Sequence, residues 1–502
     1  MRFWHLLLCA PMLVACGSEG SSGPGGGGGE GAGEPTGGPK VSDLPYGFRL
    51  GINMGHRNAS WGDDKEATLS AQAGVRSIRV KLPAAHFATW GYDIEVGDVK
   101  TYESLGMADH IGFLIGSSSV DRTVAPAGAQ DWENEYYIPK TLYEPILLDD
   151  GSVNPDNDWA AYVYKTVDTY KSWVPVWHVW NEPDWVADWH VTQTWETEPP
   201  KAADLPRFNG SIFDYIRMLR VTRVAARAAD PKALIATGGI GYPSFLSALL
   251  RYTDNPDDGS VTDAYPEKGG AYFDVLDFHY YPIFSPKSSD ASVDDFIASK
   301  DALAKVLDGA GVKVAGWNVS ENGAPLAKTP EYPDIGSPAY ARNYLIKMMA
   351  TAQAHGIGGV DWFILSNGAD SSESVFEHMG LYNDIGSLSD ISQATKTDIG
   401  KAYTTLTEVL EGATYDDAKT KALGLPAGAR GIVFMKDGKR RIVAWAVTPA
   451  DSKDEAASAE AEIATTTGFD VHAWDGAKTQ VDPSSDKVIL ALTGSPVLLV
   501  ER

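Results

Sequence analysis

The feature that most constrains this chain is a regular alternation of strand-like and helix-like stretches between about residues 47 and 411. Each short β-branched or apolar run leads into a helical stretch, which is how parallel β/α units appear in sequence. Strands read at 47–54, 76–82, 111–116, 174–180, 233–237, 275–280, 312–319 and 360–365, and helices at about 65–73, 159–173, 213–229, 244–252, 293–307, 339–355 and 396–411. Ser337-Pro338 opens one helix and Gly356 ends it, and Asp158 is a candidate cap for the helix before the fourth strand. Eight strands with about as many helices is the count that closes a (β/α)8 barrel. From about residue 414 the pattern changes. Short strands read at 431–435, 441–447, 471–474, 488–492 and 496–500, with turn signals at Asp437-Gly438 and Asp475-Gly476 and no helical period. The fold class is therefore α/β: a (β/α)8 TIM barrel at residues 43–412, followed by a small all-β, sandwich-like domain at 413–502.

The first residues read as a targeting segment rather than as fold. Arg2 precedes a mostly apolar run, 3–15, that is too short for a membrane span of about 20 residues. It ends in Leu13-Val14-Ala15-Cys16, which resembles a bacterial lipobox and implies cleavage before Cys16 and a lipid on its sulfur; an ordinary secretory signal is the alternative. Residues 16–42, rich in Gly, Ser, Glu and Pro, read as a flexible tether. The expectation is export across the inner membrane, with membrane attachment only through Cys16, at the cell surface or facing the periplasm. The other cysteine is Cys9, so no disulfide staples the folded body.

The charge excludes one class of partner. With 42 Lys and Arg against 67 Asp and Glu, the net charge is −25. A surface this acidic repels phosphate backbones, so no nucleic-acid partner is expected. A monomer is expected.

In an eightfold barrel the chemistry lies at the C-terminal ends of the strands. Two of those ends carry a carboxylate. The fourth strand ends His178-Val179-Trp180-Asn181-Glu182-Pro183, and the seventh ends Trp317-Asn318-Val319-Ser320-Glu321-Asn322-Gly323. These strands face each other across the ring, so Glu182 and Glu321 can flank a glycosidic bond. Asn181 is a candidate donor to a sugar hydroxyl, and Pro183 predicts an extended Glu182. The sixth strand ends Asp277-Phe278-His279-Tyr280-Tyr281-Pro282, which places His279 and Tyr281 on one face. Tyr281 is positioned to hydrogen-bond the nucleophile, and His279 to orient a hydroxyl or tune the pair. Arg79 on the second strand would keep Glu321 ionised, and Trp362 on the eighth offers a face to a pyranose ring. The long loops after the third and fourth strands carry Trp132, Tyr136, Tyr137, Trp185, Trp189 and Trp195. Trp185, just past the acid, is the first candidate among them for stacking on sugar.

Trp180-Asn181-Glu182-Pro183, the His279/Tyr281 pair and Ser320-Glu321-Asn322-Gly323 resemble glycoside hydrolase clan A over about residues 45–412. The resemblance implies a (β/α)8 barrel with acid/base and nucleophile glutamates after strands 4 and 7, and Arg79 and Trp362 match the clan's usual positions on strands 2 and 8. Trp180 to Asp184 and the β tail are similar to family 39. The arginine and the His-x-Tyr spacing are equally similar to family 5, although Ile115-Gly116-Ser117 lacks the histidine often found there.

The expected activity is retaining hydrolysis of β-linked glycans of plant or microbial origin, with Glu321 as nucleophile, Glu182 as general acid/base and no cofactor or metal. Two rivals stand beside it. One is a non-catalytic, lipid-anchored carbohydrate-binding protein on the same barrel. The other is a metal-dependent hydrolase using His279, Asp277 and Asp361, for which no second histidine is apparent at a neighbouring strand end.

Overall fold

Strands of a closed parallel sheet are covered on both faces, so their sequences run apolar without alternation. In the computed structural model, the residues described are 36–40, 43–55, 58–116, 135–284, 288–369, 371–450 and 453–502. The leader, Cys16, most of the tether and Trp132 lie outside them. Among the described residues, β1 (Arg49–Gly55), β2 (Ser77–Pro83), β3 (Ile111–Ile115), β4 (Val176–Val179), β5 (Leu234–Ala236), β6 (Val275–Tyr280), β7 (Gly316–Asn322) and β8 (Ile357–Ser366) form a closed barrel in sequence order. Every residue of β3 and β4 is buried. The ring shuts where β1 meets β8, in register from Arg49↔Gly359 to Asn53↔Phe363.

Helices connect the strands: α1 (Asp63–Ala73), α2 (Ala84–Trp90), α3 (Val96–Ser104), α4 (Asp158–Tyr170), α5 (Ile212–Ala229), α6 (Pro243–Arg251), α7 (Ser289–Gly309), α8 (Pro338–Ala354) and α9 (Asp398–Leu410). Their apolar faces share one core with outward residues of the barrel such as Ile52, Ile78 and Val179. The start of α8 follows its sequence signal, with Ser337 accepting from the Tyr340 N–H and Pro338 in the first turn. The cap of α4 is Asn157, not Asp158. Asn157 accepts from the Ala160 N–H, while the Asp158 carboxylate takes the Thr141 hydroxyl. The strand expected at 312–319 begins instead at Gly316, because Val312 and Val314 pack against the core from outside the ladder.

The remainder is mostly β. After β9 (Thr414–Tyr415) and one short helix, α10 (Asp417–Ala422), come β10 (Ala429–Lys436), β11 (Lys439–Ala446), β12 (Ser458–Ala464), β13 (Phe469–His472), β14 (Lys478–Val481), β15 (Lys487–Thr493) and β16 (Val497–Glu501), the β domain expected there. They form a six-stranded sheet, order β14-β13-β16-β11-β10-β9, and the pair β12-β15. The Ala/Glu-rich β12 had no strand signal, because its residues have weak β propensity; its alternating burial shows that it lies half-covered. This region is joined firmly to the barrel. Trp445 Nε1 donates to Asp290 Oδ1 at 2.6 Å, and Lys347 Nζ meets Asp290 Oδ2 at 2.7 Å. Ile432, Phe434, Val443 and Leu498 belong to the same apolar core as the barrel.

Candidate active site

The end of β4 turns sharply. Trp180 (φ 73) and Glu182 (φ 45) both adopt left-handed backbone, so Glu182 is not held extended as Pro183 led us to expect. Such conformations cost of order 1–3 kcal/mol each and persist where surroundings impose them. Here the Trp180 N–H still bonds Leu114 O of β3 at 2.9 Å, while the Glu182 N–H reaches over β5 to Gly238 O at 2.6 Å. Gly238 permits this approach, since a Cβ there would lie 2.5 Å from Val179 O. The Trp180 indole is fully buried and donates to Arg207 O at 2.7 Å.

Glu321, at the end of β7, faces Glu182 across the mouth. One carboxylate oxygen of each lies within 4.8 Å of the other and of a ring nitrogen of His279. Arg79 Nη1 donates to Glu321 Oε1 at 2.5 Å, and Tyr281 Oη to Oε2 at 2.8 Å. Burial pushes the Glu321 carboxyl up, but His279, Arg79 and Tyr281 together outweigh it and hold the group below its usual range. Burial and the nearby Glu321 charge push the Tyr281 hydroxyl well above its usual value, so it stays a donor. Arg79 is fixed in turn by Asn181 Oδ1 (2.7 Å) and by the Phe113 ring, 4.1 Å below its guanidinium.

Under the two glutamates lies a buried polar layer. His279 Nδ1 sits 3.0 Å from Glu182 Oε1, and its Nε2 lies 2.9 Å from Ser320 Oγ. Ser320 Oγ donates to Asp277 Oδ1 at 2.7 Å. Burial disfavours the Asp277 anion, yet His178, His279 and the Asn318 amide outweigh it and hold Asp277 at about 2. Because the Ser320 proton points at this anion, Ser320 Oγ accepts from His279 Nε2–H, and Nδ1 is left to accept from Glu182 when that carboxyl carries its proton. Burial lowers the titration of His279, and takes His178 down to about 4. The His178 ring stacks on that of His279 with centroids 6.2 Å apart. Gly239 (φ 68) makes room, as a Cβ there would fall 2.1 Å from His279 Nε2.

The structure therefore brings Glu182, Glu321, Arg79, Asn181, His279 and Tyr281 together. Trp362 is a correction. It is fully buried, donates to Met379 O at 2.8 Å and packs beside Tyr344 of α8, so its face is closed to a sugar. Alternation along β8 explains this. Trp362 pairs with the outward Ile52, whereas Phe363 pairs with Asn53, whose side chain meets Arg79 and Ser320 at the mouth. Half-buried Phe363 lies edge-on to Tyr281, with centroids 6.0 Å apart. Among the loop aromatics, Trp195 is buried in loop packing and Trp185 is half-buried, with the Arg207 guanidinium 4.5 Å above its ring. Asp361 does not join Asp277 and His279; it pairs with Arg49 at 3.6 Å, and His178 completes that histidine–carboxylate group instead. His178, on the quoted strand end, is thus the second histidine that the sequence reading overlooked.

Arg207, from the loop after β4, also went unnoticed. It forms an ion pair with Glu182 Oε2, and its side chain is 18% exposed. No motif marks it; only the fold of a long loop brings it back over the strand end.

No protein-family model and no curated protein matches the sequence. Solved structures do. A family 39 glycoside hydrolase from the gut symbiont Bacteroides cellulosilyticus WH2 superposes with a TM-score of 0.60 at 15% identity, covering 91% of this chain and 81% of that one. The catalytic domain of the family 30 xylanase C from Talaromyces cellulolyticus gives 0.53 at 12%, covering 92% and 99%. A glucosidase from Croceicoccus marinus gives 0.52 at 13%, covering 92% and 98%. The chain shares their fold.

Proposed function

We propose that this protein is a retaining glycoside hydrolase of clan A that cleaves β-linked glycans by double displacement. The observation that carries this reading is the facing pair of glutamates, with carboxylate oxygens within 4.8 Å of each other and Glu321 held ionised by Arg79 and Tyr281. Retaining enzymes keep their two carboxyl groups about 5–5.5 Å apart, whereas inverting enzymes leave a wider gap for water. Glu321 attacks the anomeric carbon as Glu182 gives its proton to the leaving oxygen; Glu182 then takes a proton from water, and that water releases the sugar from Glu321. Asn181, its oxygen held by Arg79, presents its amide to a sugar hydroxyl, and Phe363 offers the ring face first assigned to Trp362. The names of the similar structures, a xylanase and a glucosidase among them, support a carbohydrate substrate. Among the described residues no helix is long and apolar enough to cross a membrane; attachment through a lipid on Cys16 is part of the same proposal.

The test pairs a substrate screen with a leaving-group series. Hydrolysis of β-glucan, mannan, xylan or galactan with release of reducing ends is expected. Glu182→Ala should spare aryl glycosides with very good leaving groups and lose far more on poor ones. Equal loss on both would remove Glu182 from its acid role, and glycan binding without reducing-end release would make the protein a binding module.

A further inference from the structure

We propose that Arg207 is a recognition residue for a substrate carboxylate, so that the enzyme acts on acidic β-glycans, chains containing uronic acid, in preference to neutral ones. This rests on the glycosidase reading above. Arg207 is built into the mouth rather than left at the surface. Its carbonyl accepts from the buried Trp180 indole at 2.7 Å, and the neighbouring Asn209 (φ 53) donates to Pro206 O at 3.0 Å and Tyr136 O at 3.1 Å. Its guanidinium lies 4.5 Å from the centre of the Trp185 ring, a contact that helps to fix its position. Its ion pair with Glu182 puts it at the mouth, and the Glu321 and Tyr281 groups act on it electrostatically.

The ligand that the structure gives this fork is the carboxylate of Glu182. That contact conflicts with the chemistry. A general acid must carry a proton when the glycosidic bond breaks, and a guanidinium beside it favours the anion instead. The conflict ends when Arg207 takes another anion. A sugar carboxylate is the same chemical group with the same planar geometry, matched to the bidentate donors of arginine. With that carboxylate on Arg207, Glu182 keeps His279 as its neighbour and is freed to hold the proton. A neutral sugar has nothing to offer Arg207 and leaves it on Glu182. The acidic group thus does two things: it binds, and it releases the acid.

The experiment compares polymers that differ only in charge. β-Glucan, mannan and galactan are each assayed beside the same polymer oxidised at C6 to the uronate, with wild type, Arg207→Gln and Arg207→Lys. Wild type is expected to show kcat/KM at least tenfold higher on the oxidised member of the pair it hydrolyses best. Arg207→Gln should bring that ratio close to one, and Arg207→Lys should restore part of it. A parent polymer cleaved as fast as its oxidised form, or a ratio that survives in Arg207→Gln, would overturn the inference and leave the glycosidase reading standing. No hydrolysis of any member, with a glucuronic-acid-bearing xylan and the same xylan freed of its uronic acid included as a further pair, would overturn both. The wild-type ratio needs no variant and decides the matter even where Arg207→Gln does not fold.

Discussion

In the proposed mechanism the nucleophile must be ionised and the acid protonated, and the glutamates at the ends of β4 and β7 are distinguished by their neighbours. Glu321 receives an arginine and a phenol, while Glu182 receives a histidine ring nitrogen and Arg207. Removing one donor from Glu321 should therefore move its titration in a known direction. Because Tyr281 favours the ionised form, Tyr281→Phe lets Glu321 protonate at higher pH. A hydrogen bond to a charged group is worth about 1.5–3 kcal/mol, or one to two pH units. The acid limb of the kcat/KM profile is expected to rise by about one unit, with activity lost as pH falls through the new value; an unmoved acid limb would show that Tyr281 does not hold the carboxylate. The glutamates, Asn181, His279 and Tyr281 were legible in the sequence because each stands at or beside a strand end, where a barrel puts its chemistry, and Arg79 because it is a cation within the second strand. Arg207 was not, since its approach depends on the path of a loop that carries no period.

At the scale of elements, β8 shows why reading strand ends has a parity error built in. Successive side chains point to opposite faces, so a shift of one residue exchanges the mouth for the helix layer. Trp362 looked like the sugar platform because it is the large aromatic of that strand; the pairing of Phe363 with Asn53 puts the smaller ring at the site. The two residues predict opposite phenotypes. Phe363→Ala should lower kcat/KM by tenfold or more while the unfolding midpoint changes little. Trp362→Ala empties a buried site and should cost about 3–5 kcal/mol in denaturant unfolding. If Trp362→Ala folds with wild-type stability, or Phe363→Ala keeps full activity, the assignment of faces fails. The barrel count itself was readable because buried parallel strands are continuous apolar runs. Ends were less readable: the Val312/Val314 alternation imitates a strand while packing outside it, and β12 is a strand whose Ala and Glu residues give no signal.

On the scale of the whole molecule, the barrel and the β region share a buried ionic joint. Asp290 of α7 holds Lys347 of α8 and the indole of Trp445 in β11, and Asn343 donates to Asp454 Oδ2 at 3.0 Å. Breaking a buried pair from one side leaves a charge without its partner and costs about 3–5 kcal/mol. Asp290→Ala is expected to lose about that much and to split a single calorimetric transition into two; an unchanged single transition would mean that the joint contributes little. The proposed chemistry depends, separately, on the spacing of the two carboxylates at the barrel mouth. That spacing is tested most directly by following the anomeric proton of the first product by NMR before mutarotation. The account predicts β-configured product from a β-linked substrate. A product that appears first as the α-anomer would contradict it, whatever the sugar.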